Sequence, residues 1–450
     1  MTKVAIIGLG PVGLSLGVCL ALKGFTVKGI EKDPEKVEGI NQGIPPCYEP
    51  YLEELLGRVV EEGRFKAYGE DGSIVKEADT IFITVGTPVS PGGEVDLGQV
   101  ERAAYLTGSA IKDVEGHPLV VVKSTVPPGT TGGLVKEILE ASSQKRCGVD
   151  FSLCMNPEFL REGSAIEDAL KPDRIVIGEY DHRSGDLLEA LYRSFHGETI
   201  PPILRTSLVN AELIKYASNA FLACKVSFIN TIANLCERLP GSDIVDVARG
   251  MGLDKRIGPH FLKAGLGYGG SCLPKDLRAL TSLSEDLQSP STLLRAIQEV
   301  NSSQPWRAID MARIFLGDLR GKKIAILGLA FKPGTDDIRE AVSLRVIKGF
   351  LEEGAKVSVY DPRAMEAARQ VLGDKVTYSS SALECIEGAD CCVVVTEWDE
   401  FKEMGPEKFR EKMRDPVVID GRRIYDPAIF KDKVKFGAIG RPVEIRGKSS

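Results

Sequence analysis

The sequence predicts an α/β protein built as two doubly wound, parallel-sheet domains joined by a central helical region with one long helix. Three observations carry this. The chain opens as strand, glycine turn, helix and strand in KVAIIGLGPVGLSLGVCLALKGFTVKGIEKD, the start of a nucleotide-binding α/β unit. Residues 207–239 then run without Pro or Gly, as a helix of roughly 50 Å at about 1.5 Å per residue. From 320 the opening pattern returns: RGKKIAILGLAFKPG resembles MTKVAIIGLGPVG, and GADCCVVVT resembles EADTIFITV. The expected domains are 1–198, 199–318 and 319–450.

Each element follows in order. After the opening unit, the apolar runs at 79–88, 117–125, 151–159 and 173–178 read as strands. Continuous apolar strands with helical crossovers indicate a parallel sheet covered on both faces. GETIPPILRT at 197–206 breaks the pattern and reads as a linker. Further helix is expected to about Leu316, interrupted by the glycine-rich stretch GYGGSCLPKD at 267–276.

Bulk properties limit the function classes. A length of 450 residues is too great for one ordinary core. A net charge of -7 argues against nucleic acid and anionic membrane as partners. Ten scattered cysteines and no CxxC read as reduced thiols in a cytoplasmic protein, and four dispersed histidines leave no metal site expected. The opening MTKVAIIGLG lacks the pattern of a signal peptide, and no apolar run reaches membrane-spanning length.

The first glycine turn carries a dinucleotide fingerprint. Gly8, Gly10 and Gly13, with Pro11 and Val12 between, have GxGxxG spacing between a strand and a helix. Such glycines let a pyrophosphate approach the helix N-terminus. Glu31 ends the next strand, where it can accept hydrogen bonds from ribose hydroxyls and repel a 2′-phosphate, so NAD is expected rather than NADP. In the repeat Gly328 remains but the spacing is lost, so that half binds something else or only packs.

GYGGSCLPKD places Cys272 among glycines and just before Pro274, a residue suited to a first helical turn. A helix N-terminus lowers a thiol's pKa; equally, the cysteine can be a small apolar residue in a capping loop. On the long helix Lys215 and Asn219 share a face, with Asn230 and Asn234 on nearly the same stripe, facing either water or a polar site. Thr87, Thr125 and Glu158 follow predicted strands, at the end where ligands sit in such sheets.

These pieces together resemble the UDP-glucose dehydrogenases, within the nucleotide-sugar 6-dehydrogenases. The resemblance spans nearly the whole chain through GLGPVG, VGTP, KSTVPPGT, NPEFLREG, KYASNAFLACKVSFIN, RIGPHFLKAGLGYGGSCLPKDLRAL, GLAFKPGTDDIRE and DGRRIYDP. It implies two Rossmann-like domains and NAD-dependent, four-electron oxidation of the sugar C6 alcohol to a carboxylate. Cys272 would be the nucleophile, passing through a thiohemiacetal and a thioester. Lys215, helped by Asn219, would stabilise the oxyanion, Asp276 would act with that lysine through water, and Glu158 would be the base for thioester hydrolysis with Thr125 near the water. The resemblance puts Gly8, Gly10, Pro11, Val12, Gly13, Glu31, Lys36, Thr87, Thr125, Glu162 and Arg339 at NAD. It puts Glu158, Phe159, Leu160, Arg161, Lys215, Asn219, Phe261, Lys263, Gly265, Tyr268, Gly269, Lys332 and Arg422 at the nucleotide sugar, with Arg256 donated across the interface of a homodimer or larger homo-oligomer. UDP-glucose ranks first as substrate, GDP-mannose second (Leu273 departs from the phenylalanine of many UDP-glucose enzymes) and UDP-N-acetylhexosamines third. The alternative of another class is a catalytically inactive NAD-binding sensor or scaffold.

Overall fold

Apolar β-branched runs flanked by turns form two sheets. The computed structural model describes residues 2–90 and 92–443. The chain divides into two compact units. One runs from the N-terminus through Ser218 and includes Arg278–Leu283; the other is Asn219–Leu277 with everything from Ser284 on.

The first unit holds an eight-stranded sheet: β1 (Lys3–Ile7), β2 (Thr26–Ile30), β3 (Phe65–Tyr68), β4 (Thr80–Ile83), β5 (Leu119–Val122), β6 (Ser152–Met155), β7 (Ile175–Glu179) and β8 (Ile203–Ser207). Their order is β3-β2-β1-β4-β5-β6-β7-β8. Two sequence expectations need correction. The sheet is not wholly parallel, because β6 and β7 pair antiparallel. The stretch 197–206 is not simply a linker, because its end enters β8 and pairs parallel with β7 from Ile175↔Ile203 to Glu179↔Ser207. Pro201 and Pro202 hide the strand signal there, since proline is disfavoured in strand interiors. Apolar clusters cover both faces, one including Val4, Ile6 and Leu188, the other Ala5, Ile7, Ile83 and Leu139.

The second unit holds a six-stranded sheet: β9 (Lys323–Leu327), β10 (Lys356–Tyr360), β11 (Thr377–Tyr378), β12 (Cys391–Val394), β13 (Val417–Asp420) and β14 (Lys435–Ala438). Their order is β11-β10-β9-β12-β13-β14. The repeat legible in the sequence is a repeat of structure. Gly8 and Gly328 have φ of 96° and 100°, in the region that favours glycine. Each donates its N–H to the end of the neighbouring strand, Gly8 to Ile30 O and Gly328 to Tyr360 O, both at 2.8 Å. An acid then receives the next N–H: Leu9 N to Glu31 Oε2 at 3.0 Å, and Leu329 N to Asp361 Oδ2 at 2.7 Å. The two halves part after that turn. Helix Pro11–Leu22 begins directly in the first half, whereas helix Val342–Glu352 starts only after an inserted loop in the second.

The long helix is Leu208–Cys236, and its Lys215 falls in the first unit and its Asn219 in the second. Asn230 and Asn234, the rest of its polar stripe, anchor its own unit: Asn230 Oδ1 accepts from Gly265 N at 2.8 Å and Asn234 Nδ2 donates to Gln304 Oε1 at 3.0 Å.

Candidate active site

In the first unit the strand order reverses between β1 and β4, and a crevice forms beyond their carboxyl ends at such a switch. The glycines there answer to close packing. A Cβ on Gly13 would stand 2.0 Å from Gly8 O and 2.5 Å from Thr84 Oγ1. A Cβ on Gly10 would meet nothing within 4 Å, so the turn faces open space in front of helix Pro11–Leu22. No side chain caps that helix, which leaves its first N–H groups for an anion. Glu31 is buried and accepts from Leu9 N, Lys32 N and Asp33 N. This arrangement fits the pyrophosphate and ribose of a dinucleotide. Lys36 is exposed nearby in sequence, 3.9 Å from Asp33.

Beyond β5 and β6 lies a charged cluster. Lys215 Nζ and Glu158 Oε1 form an ion pair of 2.7 Å, their side chains 4% and 8% exposed. Burial pushes the Glu158 carboxyl up, but Lys215, the Leu160 N–H at 2.6 Å and Lys123 outweigh it and hold it below the usual carboxylate range. Phe159 lies under two cations, with Lys215 Nζ 5.6 Å and the Arg174 guanidinium 3.7 Å from its ring centre. Thr87 Oγ1 donates to Thr125 O at 2.8 Å, so these two expected residues sit together. Arg161 instead turns outward to Asp168, with contacts of 3.0 and 2.6 Å.

Two buried carboxylates, Glu212 and Glu49, brace this cluster. Glu212, one helical turn before Lys215, accepts from Gly129 N at 2.5 Å and Thr131 N at 2.7 Å, so it ties the Lys215 helix to the loop that follows Thr125. Glu49 accepts from Gly163 N at 2.8 Å and Ala165 N at 2.7 Å and pins the far end of NPEFLREG, the segment of Glu158 and Glu162. The residues look ordinary in sequence because their partners lie 81 to 116 positions away.

The second unit holds the thiol. Cys272 directly precedes helix Leu273–Asp286, its carbonyl accepts from Asp276 N at 2.9 Å, and its sulfur lies 3.5 Å from Ser271 Oγ. The thiol is half-buried. One turn on, Asp276 is buried, with Oδ2 accepting from Asn219 Nδ2 at 2.6 Å and Oδ1 paired to Lys275 at 2.6 Å. The preceding glycines explain GYGG. Gly267 (φ 111°) and Gly270 (φ 86°) are left-handed, and a Cβ on Gly269 would stand 2.3 Å from Glu340 O. The inserted loop of the second half therefore packs on this stretch: Gly270 N donates to Arg339 O at 3.0 Å, and a Cβ there would strike Phe331. Asn301 clamps Tyr268 through both its N–H and its carbonyl, at 2.8 and 3.0 Å.

Of the remaining expected residues of this unit, Arg422 and the segment 331–339 touch that loop. Arg422 is paired to Glu397 at 2.7 and 2.9 Å and reaches Gly267 O at 3.4 Å. A Cβ on Gly265 would meet Arg422 at 3.2 Å. Lys332 stacks over Phe331, 5.5 Å from its centre. Lys263 and Phe261 are exposed, the latter with φ 62°. Arg339 and Arg256 are exposed and paired to Asp337 at 2.7 Å and Asp254 at 2.6 Å.

Comparison with known proteins gives the family. Residues 2–196 match the NAD binding domain of the UDP-glucose/GDP-mannose dehydrogenase family, 209–303 its central domain and 325–427 its UDP binding domain. The chain is 42% identical over 448 residues to UDP-glucose 6-dehydrogenase TuaD of Bacillus subtilis, covering 99% of this chain and 95% of that protein. Among solved structures, a UDP-glucose dehydrogenase from the hyperthermophilic archaeon Pyrobaculum islandicum superposes with a TM-score of 0.90 at 42% identity, covering 98% of each chain. A UDP-D-ManNAc dehydrogenase from Pyrococcus horikoshii superposes with a TM-score of 0.85 at 28% identity, covering 98% of this chain and all of the other.

Proposed function

The chain belongs to the UDP-glucose/GDP-mannose dehydrogenase family, and from that premise we propose how its residues divide the reaction. The protein is an NAD-dependent nucleotide-sugar 6-dehydrogenase that oxidises UDP-glucose to UDP-glucuronate. Gly8, Gly10, Gly13 and Glu31 hold the dinucleotide, aided by Pro11, Val12, Lys36, Thr87, Thr125, Glu162 and Arg339, and two NAD molecules, bound in turn, supply one hydride acceptor for each oxidation.

The single observation that carries the division of labour is Cys272 at the head of a fourteen-residue helix, directly after a glycine stretch on which the loop of Phe331, Arg339 and Glu340 packs. Four-electron oxidation needs a covalent handle, since a free aldehyde can diffuse off between the two oxidations. Cys272 Sγ bonds to C6 of the aldehyde as a thiohemiacetal and keeps it as a thioester after the second oxidation. The Lys215 ammonium, with the Asn219 amide, stabilises the negative charge on the C6 oxygen. Asp276, held by Asn219 and Lys275, works with Lys215 through water. Glu158, ionised by its neighbours, takes a proton from the water that breaks the thioester and releases the Cys272 thiol and the carboxylate. The residues assigned to the nucleotide sugar bind it through Phe159, Leu160, Arg161, Phe261, Lys263, Gly265, Tyr268, Gly269, Lys332 and Arg422.

The domains divide at 1–198, 199–318 and 319–450 in this reading. The protein assembles as a dimer or larger homo-oligomer. Its long helix leaves Leu213, Phe221, Phe228 and Leu235 exposed at intervals of about two turns, Phe221 by 65% and Leu235 by 54%. A second copy of the chain covers that stripe, and Arg256 reaches the partner. Among the described residues no helix is long and apolar enough to cross a membrane, and ten free cysteines suit the reducing cytoplasm.

Product analysis of Cys272→Ala tests the assignment. Wild type yields two NADH per UDP-glucose without free aldehyde. The variant still binds NAD and sugar, but acid formation falls by several orders of magnitude, as loss of an activated nucleophile does. Acid formation by the variant at the wild-type rate refutes the role of Cys272.

A further inference from the structure

One buried cation in the first unit has no part in the chemistry above. Lys123 lies just past β5 and is 7% exposed. Its Nζ donates to Asn156 Oδ1 at 2.8 Å and Asn156 O at 3.5 Å, and lies 3.4 Å from the Tyr192 hydroxyl. All three partners are neutral, and among the described residues Lys123 makes no ion pair. The cradle is itself hydrogen-bonded: Tyr192 donates to the same Asn156 Oδ1, and Asn156 Nδ2 donates to Val176 O at 2.8 Å. An ammonium in such a place loses several kcal/mol of hydration, and an apolar side chain of equal length packs there without that loss. Burial brings the Lys123 ammonium down to about 8, while Glu158 draws it up and Lys215 pushes it down further. Those two, with the Tyr192 hydroxyl, are the titratable groups that face it. Asn156 in turn is two residues from Glu158 on the same strand exit. The cluster thus contains two ammonium groups and one carboxylate.

We infer that Lys123 is a positioning residue that acts through Glu158: its fixed ammonium keeps that carboxylate ionised while Lys215 turns its charge to the substrate oxygen. The inference rests on the roles proposed above for Glu158 and Lys215. A general base is useful only unprotonated, and a buried carboxylate whose one cation is engaged elsewhere takes up a proton. A second cation that never touches substrate prevents this. The surplus positive charge of the three groups also matches the single negative charge that develops at C6.

The test compares Lys123→Met, Lys123→Arg, Tyr192→Phe and Glu158→Gln in the intact enzyme with UDP-glucose and NAD. The readouts are kcat, both KM values and the pH profile of kcat. Lys123→Met is expected to lower kcat about 10- to 100-fold with KM for NAD changed less than about twofold, and to move the acid limb of kcat up by about one pH unit, the size of a neighbouring charge's effect. Lys123→Arg returns the limb toward the wild-type position. Tyr192→Phe removes a neutral partner of the ammonium and shifts the limb the same way by less, and it keeps the test decisive if Lys123→Met does not fold. An acid limb that stays in place in the variants that fold, whatever the loss of rate, overturns the inference and leaves Lys123 a structural residue. Glu158→Gln separates the two layers. If it makes acid at the wild-type rate, the reading of Glu158 as base fails and the inference with it; if it is inactive while the Lys123→Met limb is unmoved, the inference alone fails.

Discussion

Replacing Lys215 by Met should destabilise the first unit in a way that depends on pH with a definite sign. The pair it breaks is 2.7 Å long and almost wholly out of water. Removing one partner of a buried ion pair costs about 3–5 kcal/mol, because the other charge is left without compensation. The unit has roughly 220 residues, for which one kcal/mol moves the melting point by about 2–4 °C; the expected fall is therefore on the order of 10 °C near neutral pH. In the wild type Glu158 titrates below its unfolded value, so the stability it contributes is present above the unfolded pKa of about 4.3 and is lost as pH falls through the lower folded value. In Lys215→Met burial is opposed only by Lys123 and the Leu160 N–H, and the folded pKa of Glu158 rises. The variant is then relieved as pH falls through that raised value, so its deficit is largest near pH 7 and narrows toward about pH 5. Calorimetric melting of wild type, Lys215→Met, Glu158→Gln and the double variant over this range measures the effect, and the double variant should recover most of the loss. A deficit below about 0.5 kcal/mol, or one that widens as pH falls, would refute the argument that the pair is buried and mutually compensated.

Cofactor preference should follow Glu31: wild type uses NAD and discriminates against NADP, and Glu31→Ser narrows the ratio of kcat/KM values, so a wild-type preference for NADP sinks the assignment. Phe221→Asp with Leu235→Asp places charge on the exposed stripe of the long helix and should shift sedimentation toward monomer, whereas an active wild-type monomer at working concentration removes the case for an interface there.

What the residues alone determined is local. GLGPVG followed by Glu31 specified a glycine turn and an acid at the next strand end, and the turn occurs with Gly8 at φ 96° and Glu31 accepting Leu9 N. The Pro- and Gly-free run after 207 specified one long helix, found as Leu208–Cys236, and Pro274 marked the helix that begins just after Cys272. Each is encoded by spacing within a few residues, where backbone sterics and hydrogen bonding act. The tertiary structure decided what spacing cannot express. Ile203–Ser207 is a strand paired along β7, a partner that lies outside its own stretch of sequence. The β6–β7 pair became antiparallel through the course of the chain between them. Lys123, Glu49 and Glu212 are unremarkable as letters, and acquire meaning only where distant backbone closes water off from them. Whether a charge is solvated or buried is set by what packs against it, and those partners are drawn from across the fold, beyond the reach of any local pattern.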